Sequence, residues 1–290
     1  MKYGVHNYVF YRRWSDAPDN FLHQLRELGL DSIEIAVGND VEIDASKLRQ
    51  QAEDVAFDIL LSPGGEWPMD CDLSSGNPTD RQRGQKFHRK FVDLAAEAGA
   101  KAYCGALYGH PGHVECRSPD PDECKRSADE VRALAQYADE QDVKIALEPM
   151  SHFRTHLINT PRQLKDFLEL VGHENAWGLL DTYHLVTEIR DYEAGFRLLG
   201  DKLFAVHACE NDRGHPRPDG LIPWDSVFRA LKAVHFDGYV MMESYNSSIE
   251  DFAFERGMFH NVCPDGEEFV REGLGFLRQE LTGAELAIGD

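Results

Sequence analysis

What the sequence has little of narrows its class first. No uninterrupted apolar run approaches the roughly 18 residues that a membrane-spanning helix requires. The opening Met1-Lys-Tyr-Gly-Val-His-Asn-Tyr lacks the apolar stretch of a secretory leader ahead of Arg12 and Arg13. Neither membrane insertion nor secretion is expected. Basic residues are scarce: 30 Lys and Arg stand against 51 Asp and Glu, a formal charge of −21. Nucleic acids and anionic membranes are held through Lys and Arg that neutralise phosphate, so neither is an expected partner, and the acidity reads as a solvated surface. The six cysteines, Cys71, Cys104, Cys116, Cys124, Cys209 and Cys263, show neither a CxxC pair nor zinc-finger spacing. They read as reduced thiols of a cytoplasmic protein. Internal repeats, low-complexity tracts and compositional breaks are also missing, so residues 1–290 are expected to form one domain.

What is present is an alternation of short apolar runs with amphipathic stretches, the pattern of successive βα units. Eight strands are expected: Tyr3–Asn7, Ser32–Ala36, Asp58–Leu61, Ala102–Gly105, Lys144–Glu148, Trp177–Asp181, Leu203–His207 and Tyr239–Glu243. Phe21, Leu22, Leu25 and Leu28 mark one helical face, and Phe87, Phe91, Leu94, Ala95 and Ala98 another, at spacings of three and four. Ser127-Ala-Asp-Glu130 and Thr160-Pro-Arg-Gln163 read as capping boxes at helix starts, and Gly29 and Gly99 as left-handed helix ends. The fold class is therefore α/β, a single (β/α)8 barrel. Residues 62–83 and 107–125, rich in Pro, Gly, Asp and Ser, follow the third and fourth strands and are expected to cover the active-site face.

Four side chains stand at the ends of consecutive expected strands: Glu148, Asp181, His207 and Glu243, separated by 33, 26 and 36 positions. A closed parallel barrel brings strand ends to one point. Three carboxylates there repel strongly unless a cation compensates them. Oxygen-rich ligation with one nitrogen suits Mn²⁺, Mg²⁺ or Co²⁺ better than a structural zinc. A metal bridging a ketone and its neighbouring hydroxyl acidifies the adjacent C–H and stabilises the resulting enediolate. Glu148 and Glu243, on strands five and eight, each offer a carboxylate to one face of that carbon. Removing a proton from one face and returning one to the other is epimerisation. Returning it to the neighbouring carbon is aldose–ketose isomerisation.

Ala146-Leu-Glu148-Pro149, Leu180-Asp181-Thr-Tyr-His184, His207-Ala-Cys-Glu-Asn-Asp-Arg213, Ile222-Pro-Trp224 and Met242-Glu243, with Ile33-Glu34-Ile35 on strand two, resemble the signatures of the ketose 3-epimerases. This is the D-tagatose and D-allulose 3-epimerase group within the xylose-isomerase-like barrels. The resemblance spans almost the whole chain. It implies a metal, Mn²⁺ in the first place or Co²⁺, held by Glu148, Asp181, His207 and Glu243, with both glutamates as the acid/base pair. It further implies that His184 and Arg213 bind substrate oxygens, and that the chain forms a homodimer or homotetramer. Glu34 is expected to contact the substrate or to support the site from behind. His6, Trp14, Glu66, Trp67 and His110 are expected in the wall of the same face.

Two departures bear on the substrate. Where that group carries a glutamate soon after the strand-five ligand, this chain reads Ser151-His152-Phe153-Arg154, so Arg154 is a candidate binder of a phosphate or carboxylate, or else faces solvent. Tyr108-Gly-His-Pro-Gly112 also departs from the group's aromatic lid. An isomerase or epimerase of a phosphorylated or acidic sugar is thus a second reading, and a non-catalytic sugar-binding barrel a third. The apurinic-endonuclease branch of the same barrels would need more histidines and a basic face, which the charge opposes.

Overall fold

A computed structural model, describing residues 1–286, gives a closed barrel of eight parallel strands in sequential order. The strands are β1 (Lys2–His6), β2 (Ser32–Val37), β3 (Asp58–Pro63), β4 (Ala102–Gly105), β5 (Lys144–Leu147), β6 (Ala176–Asp181), β7 (Leu203–Ala208) and β8 (Tyr239–Met242). Around them run α1 (Phe21–Glu27), α2 (Ala45–Asp54), α3 (Pro78–Ala98), α4 (Pro121–Asp139), α5 (Pro161–Val171), α6 (Thr182–Leu185), α7 (Tyr192–Leu199), α8 (Trp224–Ala233), α9 (Phe252–Glu255) and α10 (Gly266–Leu286). No helix among the described residues is long and apolar enough to cross a membrane, and all six cysteines are unpaired thiols.

The strands form where expected, within two residues at each end. The helix starts agree less evenly. Thr160 caps α5 reciprocally with Gln163, and Gly99 ends α3 at φ +70°. Ser127 and Glu130, read as a helix start, lie inside α4 instead. Its cap is Asp120, whose carboxylate accepts from Glu123 N while Glu123 reaches back to the backbone of Asp120. Asp120-Pro-Asp-Glu123 is the stronger signal because Pro121 fits the first helical turn, where a missing N–H goes unneeded.

Of three apolar clusters among the described residues, two position the site. The larger lies between barrel and helices and takes the expected faces of α1 and α3. The smaller fills the barrel interior with Leu60, Ala102, Cys104, Ala146, Leu179, Phe204, Ala205, Tyr239 and Met241. Strand side chains alternate, so two residues further along each strand the next side chain also points inward. Ser32, Ala146, Leu179, Ala205 and Met241 are followed at that spacing by Glu34, Glu148, Asp181, His207 and Glu243. The apolar plug below thus sets the aim of the polar layer above. Between β6 and β7 the register shifts: Gly178 pairs with Leu203 and Leu179 with Ala205, skipping Phe204. That shift puts Phe204 and Ala205 both in the interior core and brings Asp181 opposite His207.

Candidate metal and catalytic site

At the C-terminal mouth, ligand atoms of Glu148, Asp181, His207 and Glu243 all lie within 4.8 Å of one another, on four buried residues. Their local structure explains how each is aimed. Asp181 ends β6 and caps α6: its Oδ1 accepts from Tyr183 N at 2.8 Å, which leaves Oδ2 free to face the cluster. The single turn of α6 carries His184 back over the site, with Nε2 3.8 Å from Asp181 Oδ2. Thr182 ties this end of β6 to β7, its hydroxyl donating to the carbonyls of His207 and Cys209 and accepting from Cys209 N.

His207 is held from behind. Glu34 Oε2 lies 2.8 Å from His207 Nε2, and both residues are almost wholly buried. The other Glu34 oxygen faces His6 Nε2 at 3.8 Å. This contact fixes the imidazole orientation and turns Nδ1 into the cluster, 3.0 Å from Glu243 Oε2 and 3.4 Å from Glu148 Oε1. Glu34, expected to contact the substrate or to support the site from behind, lies beneath His207.

The charges in this layer are far from their values in water. Burial, with Asp181 and Glu243 adding to it, pushes the Glu148 carboxyl up to about 7 against the pull of His207. Burial also opposes ionisation of Glu243, yet Arg213 and His207 hold that carboxyl well below the usual range. For His207, burial lowers proton affinity, but Glu34, Glu243 and Glu148 together carry it well above the ordinary value. Burial, with help from Arg213, takes His184 down to about 4, so its ring is neutral near pH 7. The pattern is that of carboxylates competing for too few positive charges.

A divalent cation fits the donors present. Asp181 Oδ2 and His207 Nδ1 are buried, face the cluster and have no hydrogen-bond partner, and three carboxylates with one imidazole are a donor set for Mn²⁺, Co²⁺ or Mg²⁺. Arg213, expected to bind a substrate oxygen near the metal, is 2% exposed. Its Nη1 stands 2.8 Å from Asp181 Oδ2 and 2.9 Å from Glu243 Oε2.

Arg154 is on the surface, and no ion pair involves it among the described residues. Its carbonyl accepts from Gly112 N at 2.7 Å, joining the segment after β5 to the one after β4. The two segments expected to cover the mouth shrink to residues 64–77 and 106–120, since β3 runs to Pro63 and α3 and α4 start at Pro78 and Pro121. They brace each other. His110 Nε2 meets Trp67 O at 2.9 Å, the two rings lie 4.7 Å apart, and His113 Nδ1 is 3.3 Å from Asp72 Oδ2.

Sequence reasoning passed over Glu210 as a separate residue. It is fully buried, and its carboxylate accepts from Leu221 N, Ile222 N and Trp224 Nε1. Two of the quoted motifs, His207–Arg213 and Ile222–Trp224, are therefore one structure. Gly220 is required there, because a Cβ would come within 2.1 Å of the Glu210 carboxyl carbon. An acidic residue between two ligand-bearing motifs was the available signal.

Comparison with known proteins follows the same lines. The family profile described as Xylose isomerase-like TIM barrel matches residues 22–280. A protein of Synechocystis sp. named probable ketose 3-epimerase is 25% identical over 280 residues, covering 96% of each chain. A solved structure of L-ribulose 3-epimerase superposes with a TM-score of 0.89 at 26% identity, over 100% of this chain and 98% of that one. The D-allulose 3-epimerase of Methylomonas sp., solved in complex with D-allulose, gives a TM-score of 0.88 at 26% identity, over 97% of both chains.

Proposed function

Because the chain belongs to the xylose isomerase-like TIM barrel family, we propose that it is an isomerase that inverts C3 of a keto-sugar, with Glu148 and Glu243 as the acid/base pair. The observation that carries this is the convergence of the two glutamates with Asp181 and His207 inside one buried 4.8 Å cluster. Glu148, Asp181, His207 and Glu243 would hold one divalent ion, Mn²⁺ in the first place and Co²⁺ or Mg²⁺ after it. When bound, the ion supplies Lewis-acid polarisation of the ketone and of the hydroxyl beside it.

The chain's own groups do the rest. The two carboxyls reach the cluster from β5 and β8, so each can serve one face of the substrate carbon, one as proton acceptor and the other as donor. One glutamate removes the C3 proton from one face and the other returns a proton to the opposite face. In the reverse direction the roles exchange. Neutral His184 and cationic Arg213 orient the sugar oxygens, and Glu34 fixes the ring of His207. The cytoplasmic site of action and a homodimeric or homotetrameric state belong to the same proposal. They rest on the thiols being unpaired and on the family resemblance.

The test is a set of free keto-sugars, D-allulose and L-ribulose among them, incubated in D₂O with Mn²⁺. Deuterium at C3 with formation of the C3 epimer is the expected result; deuterium at C1 would make the enzyme an aldose–ketose isomerase, and no incorporation would leave a binding barrel. Glu148→Gln and Glu243→Gln should each lower turnover by about 10²–10⁴-fold, the range of a lost general acid or base. The exposed Arg154 supports a second reading, an acidic or phosphorylated sugar. Its charge reaches His184, Tyr183 and Tyr245 at the mouth. On that reading Arg154→Ala lowers kcat/KM for anionic substrates only; an unchanged value for all of them removes it.

A further inference from the structure

Arg213 is enclosed as an internal cation. Besides Asp181 and Glu243, its Nη1 donates to Cys209 Sγ at 3.2 Å, and Nη2 lies 3.5 Å from His184 Nε2. The guanidinium lies 4.1 Å from the ring centre of Tyr183 and 5.8 Å from that of Tyr245. The backbone at Arg213 has φ +67°, the left-handed region that a residue with a Cβ rarely occupies. A tight turn enforces it: Arg213 N donates to Glu210 O, and Glu210 N to Gly214 O. The Glu210 carboxylate anchors this turn to residues 221–224. The loop is thus built to deliver one guanidinium to the cluster.

A guanidinium within 3 Å of two carboxylates is a competing cation for any metal those carboxylates hold. At Glu243 it makes an aligned hydrogen bond. At Asp181 Oδ2 the approach is close but the oxygen has no aligned donor, so Arg213 weakens the negative potential there without occupying the lone pair. Resting on the reading of the cluster as a metal site, we propose that Arg213 is a resident counter-ion that sets the strength of divalent-metal binding, holding it weaker than the four ligands alone would make it.

The experiment is titration of the full chain with Mn²⁺ and no sugar, followed by the electron paramagnetic resonance of free Mn²⁺ and by calorimetry. Arg213→Met keeps an unbranched apolar stem and removes the charge; it should tighten Kd by about tenfold or more. Arg213→Lys keeps a cation and should stay within about threefold of wild type. If Arg213→Met does not fold by circular dichroism, Glu210→Gln, which loosens the loop without touching a ligand, should tighten Kd in the same direction. An unchanged or weaker Kd in the folded variant overturns the proposal, as does equal tightening by Lys and Met. Binding of no divalent ion by the wild type would overturn it together with the metal reading, so the two failures are told apart.

Discussion

Glu148→Gln should stabilise the protein at high pH when divalent metal is chelated. Burial with the neighbouring carboxylates raises the Glu148 carboxyl to about 7 from an ordinary 4.5, so the folded chain keeps a proton that the unfolded chain releases. A raised carboxyl contributes stability that is whole below about pH 4.5 and is lost as the pH rises through about 7. Between pH 5.5 and pH 8 this one group should cost the wild type about 2 kcal/mol. Glutamine has the same shape, still faces His207 and does not ionise, so the variant escapes that loss. Urea unfolding in a strong chelator, at both pH values, measures it: the gain of Glu148→Gln over wild type should grow by about 2 kcal/mol from the lower pH to the higher. Saturating Mn²⁺ should reverse the order at pH 8, because the variant gives up a ligand. Parallel pH dependences in the chelator would refute the claim that this carboxyl is held protonated by its surroundings.

Three further outcomes follow from the same geometry. Glu34→Gln retains an acceptor for His207 Nε2 but loses the charge, and calorimetry should show metal affinity reduced about 10–100-fold with the melting temperature little changed. Glu210→Ala abandons three donors, the part-buried Leu221 N and the buried Ile222 N and Trp224 Nε1, and should cost about 3 kcal/mol in chemical unfolding. Gly4→Ala sets a methyl 2.3 Å from Ser32 Oγ and 2.5 Å from Met241 Cε inside the barrel, and should cost about 1–3 kcal/mol; a neutral effect would mean the interior is looser than it looks.

The cluster of Glu148, Asp181, His207 and Glu243 was legible because two simple periodicities coincide. A strand alternates sides, and a closed parallel barrel gathers strand ends, so a polar residue ending each apolar run must arrive at the mouth. Helix starts were less legible. Ser127 and Asp120 both offer a capping pattern, and Pro121 with the reciprocal Asp120–Glu123 bonds decides for the earlier start, so that the helix already runs through Ser127. Glu34 was visible as a carboxylate on β2, but its partner lies 173 positions away, a separation that no local pattern encodes. Arg213 was visible in its motif, but its burial depends on Glu210 meeting residues 221–224 and on two tyrosine rings from other segments, which no local pattern encodes.

By itself the sequence determined the barrel, the order of its strands and the four residues that meet at its mouth, since these depend on periodicity and chain order alone. Only the tertiary structure decided which side chain stands behind which. It set Glu34 beneath His207, skipped Phe204 in the β6–β7 pairing, and drew Arg213 in among the carboxylates. Those choices depend on distances between residues far apart in the chain and on the burial of charge, which exist only once the barrel has closed.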